Sequence, residues 1–171
     1  MRYEARASHC RVNGQVAELG PARPREMPKL TPTELKKALQ AQGFEIYRTT
    51  PNEVMLADRV RDNLLMDSAV AVRAGDEFVV TLIVRAQSSD FPGEGESVLY
   101  GRARRCADPL QQRGYRETKT QVVPVFDPGD RTRTLDTWYE VRFERKAADL
   151  DEVITELRAA LALEKSARPH P

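Results

Sequence analysis

A six-residue phrase occurs twice in this chain, and it predicts where two helices end and two strands begin. The phrase reads LQAQGF at Leu39–Phe44 and LQQRGY at Leu110–Tyr115. The residue after a helix often needs a positive φ, which glycine adopts without strain, and the apolar residue that follows packs back on the last turn. Each copy therefore predicts a helix that stops at its glycine and a strand that starts at its aromatic residue. The numbers of strands after the two copies differ, so the phrase indicates the same helix-to-strand junction formed twice rather than a duplication of two halves of the chain.

The remaining helix boundaries have equally local signals. Thr31 and Glu34 form a capping box around Pro32 and predict the start of the first helix, and Asp149 with Glu152 predicts the start of the last. Asp108-Pro109 interrupts the middle helix, because proline lacks the N–H and clashes with the preceding turn, and Asp108 is expected to cap the restart.

Alternating apolar residues between turn signals predict six strands, and the element order is α-β-β-β-β-α-β-β-α. The strand from Phe78 to Arg85 is apolar on both faces and is expected at the centre of the sheet. Pro124 places its strand at an edge or at a bulge. The predicted fold class is α+β, a single domain with an antiparallel sheet and helices packed on it.

Composition and the positions of prolines and helix-capping residues divide the chain into three parts. Residues 1–29, with three prolines among arginines, are expected to form a flexible N-terminal arm. Residues 30–165 are expected to form the α+β domain, and residues 166–171 a disordered tail.

Charge and cysteine content exclude several classes of protein. The 27 basic and 26 acidic residues nearly cancel, which argues against a dedicated nucleic-acid binder. No apolar stretch is long enough to span a membrane, and the first 20 residues lack the apolar region of a signal peptide, so none is expected. Cys10 and Cys106 form no disulfide framework, so reduced thiols and a cytoplasmic location are expected. Arginine outnumbers lysine, which is typical of a GC-rich bacterial genome.

The sequence offers little catalytic chemistry. His9 and His170 lie near the two ends, so a nucleophile–histidine arrangement is not expected. We predict no catalytic residue, no metal and no cofactor, and we expect Cys106 to be a buried structural thiol. An enzyme built on carboxylates stays open as an alternative.

Two features suggest a surface that binds a partner. By strand alternation Trp138 points away from Tyr139 and Val141, so it lies on an open sheet surface unless a helix or the arm covers it. The second feature is a set of arginines in the second helix and in the last hairpin turn, which either pair with local acids or form an acidic-partner or nucleic-acid patch: Arg102, Arg104, Arg105, Arg131 and Arg133.

The element order, with the closing phrase Trp138–Phe143 and Leu150–Ile154, resembles type III secretion chaperones and YbjN-like proteins. That resemblance implies a homodimeric, non-catalytic protein that binds other polypeptides on its sheet or helix surfaces. Two departures are the near-neutral charge and four strands, not three, before the middle helix. The sequence thus predicts a non-catalytic protein-binding domain, chaperone-like or adaptor-like and homodimeric. A nucleic-acid or anionic-ligand binder that uses the arginines is the first alternative.

Overall fold

The structure, a computed structural model, describes residues 30–61 and 64–167. The predicted N-terminal arm and residues 168–171 of the predicted tail lie outside this part of the chain. Its helices are α1 (Pro32–Ala41), α2 (Glu96–Cys106), α3 (Asp108–Gln111) and α4 (Leu150–Ala167). Its strands are β1 (Ile46–Thr49), β2 (Glu53–Arg61), β3 (Leu64–Arg73), β4 (Phe78–Gln87), β5 (Arg116–Phe126) and β6 (Thr134–Ala147). The predicted α+β class and element order are confirmed, with a break in the middle helix.

The six strands form one antiparallel sheet in the order β1-β2-β3-β4-β6-β5. β4 lies inside the sheet, as its apolar composition predicted, and β5 lies at the edge, the first of the two alternatives that Pro124 predicted. β6 inserts between them and pairs with β4 along its whole length, from Phe78↔Ala147 to Gln87↔Trp138. Because β4 continues into α2 before the chain returns as β5, α2 crosses over β6.

All four helices pack on one face of the sheet. On β4 the even-numbered residues face them, among them Val80 and Leu82, which are fully buried. Phe143 of β6 is opposite Leu82, so the alternation predicted for β6 is confirmed there. The odd-numbered residues of β4 and the even-numbered residues of β6, including Trp138, point to the opposite face, which we call the open face.

The two copies of the repeated phrase end their helices in the same way. Gly43 has φ +84° and Gly114 has φ +92°. The Phe44 N–H donates to the Leu39 carbonyl at 3.1 Å, and the Tyr115 N–H donates to the Leu110 carbonyl at 3.2 Å. These bonds satisfy carbonyls that the helix leaves without partners. The strands begin one or two residues later than the aromatic residues.

The break in the middle helix lies where Pro109 predicted it. α2 ends at Cys106 and α3 begins at Asp108, but Ala107 occupies the N-cap position. The expectation that Asp108 caps the restart is therefore wrong. α4 begins as predicted: the Glu152 N–H donates to Asp149 Oδ1 at 2.8 Å. It continues through Ala167, two residues into the predicted tail.

A buried ion-pair cluster joins α4 to the rest of the domain. Glu156 is 2% exposed and accepts hydrogen bonds from Arg113 Nε at 3.1 Å and Arg113 Nη2 at 2.7 Å. Arg145 of β6 pairs with the same carboxylate and with Glu152. Burial raises the pKa of Glu156, but Arg113 and Arg145 lower that pKa by more, so it lies below its ordinary range.

Candidate functional site

A bulge in β3 interrupts its pairing with β4. On β2 the register steps from Met55↔Ala71 to Ala57↔Asp67, so the three residues of β3 from Ser68 to Val70 face Leu56 alone. The Ala69 N–H donates to Asp67 Oδ1 at 2.8 Å. Side-chain acceptors of this kind compete with the sheet ladder for backbone groups. The bulge therefore turns the first half of β3 out of the regular register.

Ser68 holds the bulge in place, and Ala69 is strained within it. The Ser68 hydroxyl donates to the Leu56 carbonyl at 2.9 Å and accepts from the Val70 N–H at 3.3 Å. Ala69 has φ +59°, and within the described residues it is the only residue other than glycine with a positive φ. A left-handed conformation costs alanine about 1–2 kcal/mol. Strain of this kind persists only where the surrounding structure imposes it, and it is enriched at functional sites.

Past the bulge β3 and β4 separate, and we call the gap between them the fork. β3 pairs with β4 only from Val70↔Leu82 to Arg73↔Val79. β4 continues from Ile83 to Gln87, paired with β6 on one side. Among the described residues no strand pairs with its other side. The backbone edge of Ile83–Gln87, which we call the free edge of β4, therefore faces open space.

A cleft of about 750 Å³ fills the fork. This volume is within the range of about 300–1,000 Å³ that is typical of ligand sites. β3 begins with three consecutive exposed apolar residues, Leu64, Leu65 and Met66, and the last of these lines the cleft. The cleft is lined by Met66, Asp67, Ala69, Leu82–Gln87, Asp90, Phe91, Arg102, Ala103, Cys106, Trp138 and Leu163.

Helices α2 and α4 close the cleft on the helical side of the sheet. Ala103 is buried beside β4, and Leu163 packs against the core from α4. Cys106 is exposed at the wall of the cleft, so the expectation of a buried thiol is wrong. The buried face of the broken helix runs through Ala103 and Ala107 to Leu110, and this turns Cys106 to the rim.

The turn after β4 positions one end of the cleft. Asp136 of β6 accepts hydrogen bonds from the Ser88 hydroxyl at 2.8 Å and the Ser89 N–H at 3.1 Å, and these bonds fix the 3-10 turn Ser88–Asp90. Burial raises the pKa of Asp136, but its hydrogen bonds, led by that of Ser88, lower that pKa by more. Phe91 follows this anchored turn directly.

Each end of the cleft has an arginine stacked on an aromatic ring. The Arg85 guanidinium carbon is 4.7 Å from the Trp138 ring centroid, and that of Arg102 is 4.2 Å from the Phe91 ring centroid. Both distances are within the range of cation–π interactions. Arg102 Nε also donates to Glu94 at 2.6 Å, and this hydrogen bond lowers the pKa of Glu94.

Trp138 lies on the open face, where strand alternation predicted it, and it is half-buried. The open face is not a bare apolar surface, because ion pairs cover much of it. Arg142 Nε is 2.8 Å from Glu144 Oε1, and Arg142 Nη2 is 3.9 Å from Glu53 Oε2. Val79 and Thr81 of β4 are buried on this face, and Arg142 Nη2 donates to Thr81 Oγ1 at 3.4 Å. Trp138 is therefore the large aromatic residue where this face meets the cleft.

The predicted arginine cluster is divided among separate partners. Arg104 donates to Glu117 through Nε and Nη2 at 2.8 Å, which lowers the pKa of Glu117, and Arg133 is 3.8 Å from Asp127. Arg105 and Arg131 are exposed, with no ion pair within the described residues. Of the five predicted arginines, only Arg102 lines the cleft.

The described residues present no assembled catalytic or metal-binding group. Within them, no three His, Cys, Asp or Glu side chains are placed to share a metal ion. Both histidines, His9 and His170, lie outside that part of the chain. Cys106 has no hydrogen-bonded base there. None of the described helices is long and apolar enough to cross a bilayer.

Sequence reasoning missed the cleft itself. The alternation from Met66 to Val72 predicted a regular strand, whereas Asp67 and Ser68 are residue types that bond to nearby backbone groups. That pair is the one local signal for the bulge. Comparison of the chain with known protein families, curated proteins and solved structures found no match. Its function is therefore argued from the geometry of the cleft.

Proposed function

We propose that this protein is a binding module that takes an extended segment of another polypeptide into the cleft, where the segment adds as a strand to the free edge of β4. The observation that carries the proposal is the edge of β4 at Ile83–Gln87, which no strand pairs within the part of the chain that the structure describes and which faces a largely apolar cleft. Strand edges present unpaired N–H and C=O groups and readily pair with another chain. Peptide-binding domains use such edges for affinity and nearby pockets for specificity.

The dimensions of the free edge suit a short segment. Five residues of β4, Ile83–Gln87, span about 17 Å at about 3.4 Å per residue. An added strand would place alternate side chains on opposite faces of the sheet. One set would meet Ala103 and Leu163 on the helical side, and the other set would meet the open face beside Trp138.

Binding has more support than catalysis because two charged groups of the cleft, Asp67 and Arg102, are already engaged within the chain. Asp67 accepts the Ala69 N–H, and Arg102 is held by Glu94. The alternative of a nucleic-acid or anion patch has less support, because Arg102, Arg104 and Arg133 pair with carboxylates of the same chain. We place the binding in the cytoplasm, where a free thiol such as that of Cys106 stays reduced.

The test selects displayed peptides on the full-length protein and then blocks the cleft. In a C10S variant a bulky maleimide is attached to Cys106, and in a C106S variant the same reagent is attached to Cys10. The selected peptides should lose binding to the first conjugate and keep it with the second. Recovery of no peptide, or equal binding to both conjugates, would contradict the proposal.

Self-association is a separate proposal that follows from the expected homodimer. Light scattering of the full-length chain supports it if the measured mass is that of two chains. A mass of one chain at concentrations well above those used for peptide binding excludes it.

A further inference from the structure

We propose that the segment bound at the free edge of β4 carries a single acidic residue between two apolar residues and places that carboxylate opposite Arg85. This inference rests on the proposed function and specifies the partner's chemistry. It is carried by the partners of Arg85 and by the different character of the two faces that an added strand would meet.

Arg85 is held in place but not fully satisfied. Its guanidinium stacks on Trp138, and its Nη2 is 3.3 Å from Glu140 Oε1. Arg85 Nε is buried and has no hydrogen-bond acceptor. A buried donor without a partner costs about 1–3 kcal/mol, so an acceptor supplied by a ligand would be favoured.

Glu140 cannot supply the missing acceptor. Its carboxylate is 6% exposed, its Oε2 accepts from Gln121 Nε2 at 2.7 Å, and its Oε1 already faces Arg85 Nη2. Glu140 also lies on β6, on the side of β4 away from the cleft. Arg85 itself lines the cleft and 30% of its side chain is exposed, so its guanidinium is open to an acceptor on the added strand.

Strand geometry then assigns the side chains of the segment. The residue opposite Arg85 would emerge on the same face, with Cβ atoms about 4.5–5.5 Å apart, and opposite charges at such positions stabilise a sheet. Its two neighbours would point to the helical side, toward Ala103 and Leu163. Those two positions favour apolar residues.

Two carboxylates restrict the acid to one position. Asp67 on β3 and Asp90 after β4 also line the cleft, so further acidic residues in the segment would meet like charge. Discrimination of this kind depends on repulsion of wrong ligands as well as attraction of the right one. The fitting pattern is therefore apolar, acidic, apolar, flanked by neutral residues.

The test compares the capped synthetic peptides STVEVTS, STVQVTS, STVKVTS and SEVEVES by fluorescence anisotropy with the full-length protein. STVEVTS should bind on the order of tenfold more tightly than STVQVTS, since a hydrogen bond to a charged group is worth about that factor. STVKVTS and SEVEVES should bind more weakly than STVEVTS. In an Arg85→Gln variant the preference for Glu over Gln should vanish, and in an Arg105→Gln control it should persist.

The outcomes separate this inference from the proposed function. Equal affinity of the Glu and Gln peptides, with both blocked by the label on Cys106, would overturn the acidic preference and leave strand addition in place. Binding of none of the four peptides, together with failure of the displayed-peptide selection, would overturn both. If Arg85→Gln proves unfolded by circular dichroism, the comparison of the peptides on the unchanged protein still decides.

Discussion

The Ala69 N–H donates to the Asp67 carboxylate at 2.8 Å, and this short-range bond accompanies the fork in the sheet. It belongs to the bulge that leaves β3 and β4 paired only from Val70↔Leu82 to Arg73↔Val79. A hydrogen bond within β3 is thereby linked to the free edge of β4. The cleft lies where β3 departs from regular pairing with β4. Ala69, the one described residue other than glycine with a positive φ, is part of that departure.

Replacement of Ala69 by glycine should stabilise the protein. Glycine adopts φ +59° without the strain that a Cβ brings, and the gain should exceed the entropy lost from a more flexible unfolded chain. We expect an increase of about 0.5–1 kcal/mol in the free energy of unfolding, measured by urea denaturation. Ala71→Gly in the same strand is the control and should be destabilising. A loss of stability in Ala69→Gly comparable to that of the control would show that the backbone of Ala69 is not strained.

Substitution of Glu156 by glutamine should destabilise the domain strongly. The change leaves Arg113 and Arg145 without the buried carboxylate that they share. Arg113 is 42% exposed and Arg145 keeps Glu152, so the expected loss is about 1–3 kcal/mol. Thermal melting followed by circular dichroism measures the loss. The matched control is Glu94→Gln, which removes an arginine partner at a more exposed site and should leave the melting temperature close to that of the unchanged protein. Equal effects of the two substitutions would be evidence against a stabilising role for the ion pairs of Glu156.

The same carboxylate predicts a pH dependence of stability. The pKa of Glu156 in the folded protein is below its unfolded value of about 4.3, so its contribution is fully present above that pH. The contribution is lost as the pH falls through the folded-state pKa. Urea denaturation at a series of pH values should show the difference in stability between the unchanged protein and Glu156→Gln shrinking below about pH 4. A difference that stays constant into acid would show that Glu156 does not act through its charge.

Substitution of Trp138 by alanine should leave the fold intact and weaken binding of the partner segment. Trp138 is half-buried on the open face and holds the Arg85 guanidinium, so its loss frees Arg85 rather than opening the core. Fluorescence anisotropy with STVEVTS measures the affinity, and circular dichroism checks the fold. Leu135→Ala, an exposed residue on the same strand away from the cleft lining, is the control. Unchanged affinity in Trp138→Ala would remove Trp138 from the proposed site.

The helix ends could be predicted from sequence because their causes are local. Gly43 and Gly114 take the positive φ that their position after a helix requires, and the aromatic residue after each donates back to its own helix. The capping boxes act within one turn. Trp138 was placed on the open face because strand alternation has a fixed period.

The cleft could not be predicted because its causes are distributed along the chain. Asp67 and Ser68 fit the alternation from Met66 to Val72, so their bonds to nearby backbone groups leave no break in the pattern, and their effect depends on which strand lies next to β3. The hairpin of β5 and β6 docks through β6, which brings Trp138 beside the end of β4. Helical periodicity predicts Cys106 in the core. This prediction fails because the spacing of apolar residues does not show how the break at Pro109 rotates the buried face of the helix.

Hydrogen–deuterium exchange with saturating STVEVTS tests strand addition most directly. The amides of Ile83–Gln87 that face the cleft should exchange more slowly in the complex, since each new strand pair engages backbone N–H groups of β4. Amides of β5, the outer edge strand, should be unchanged. Protection confined to β5, or no protection within Ile83–Gln87 at full occupancy, would contradict the account.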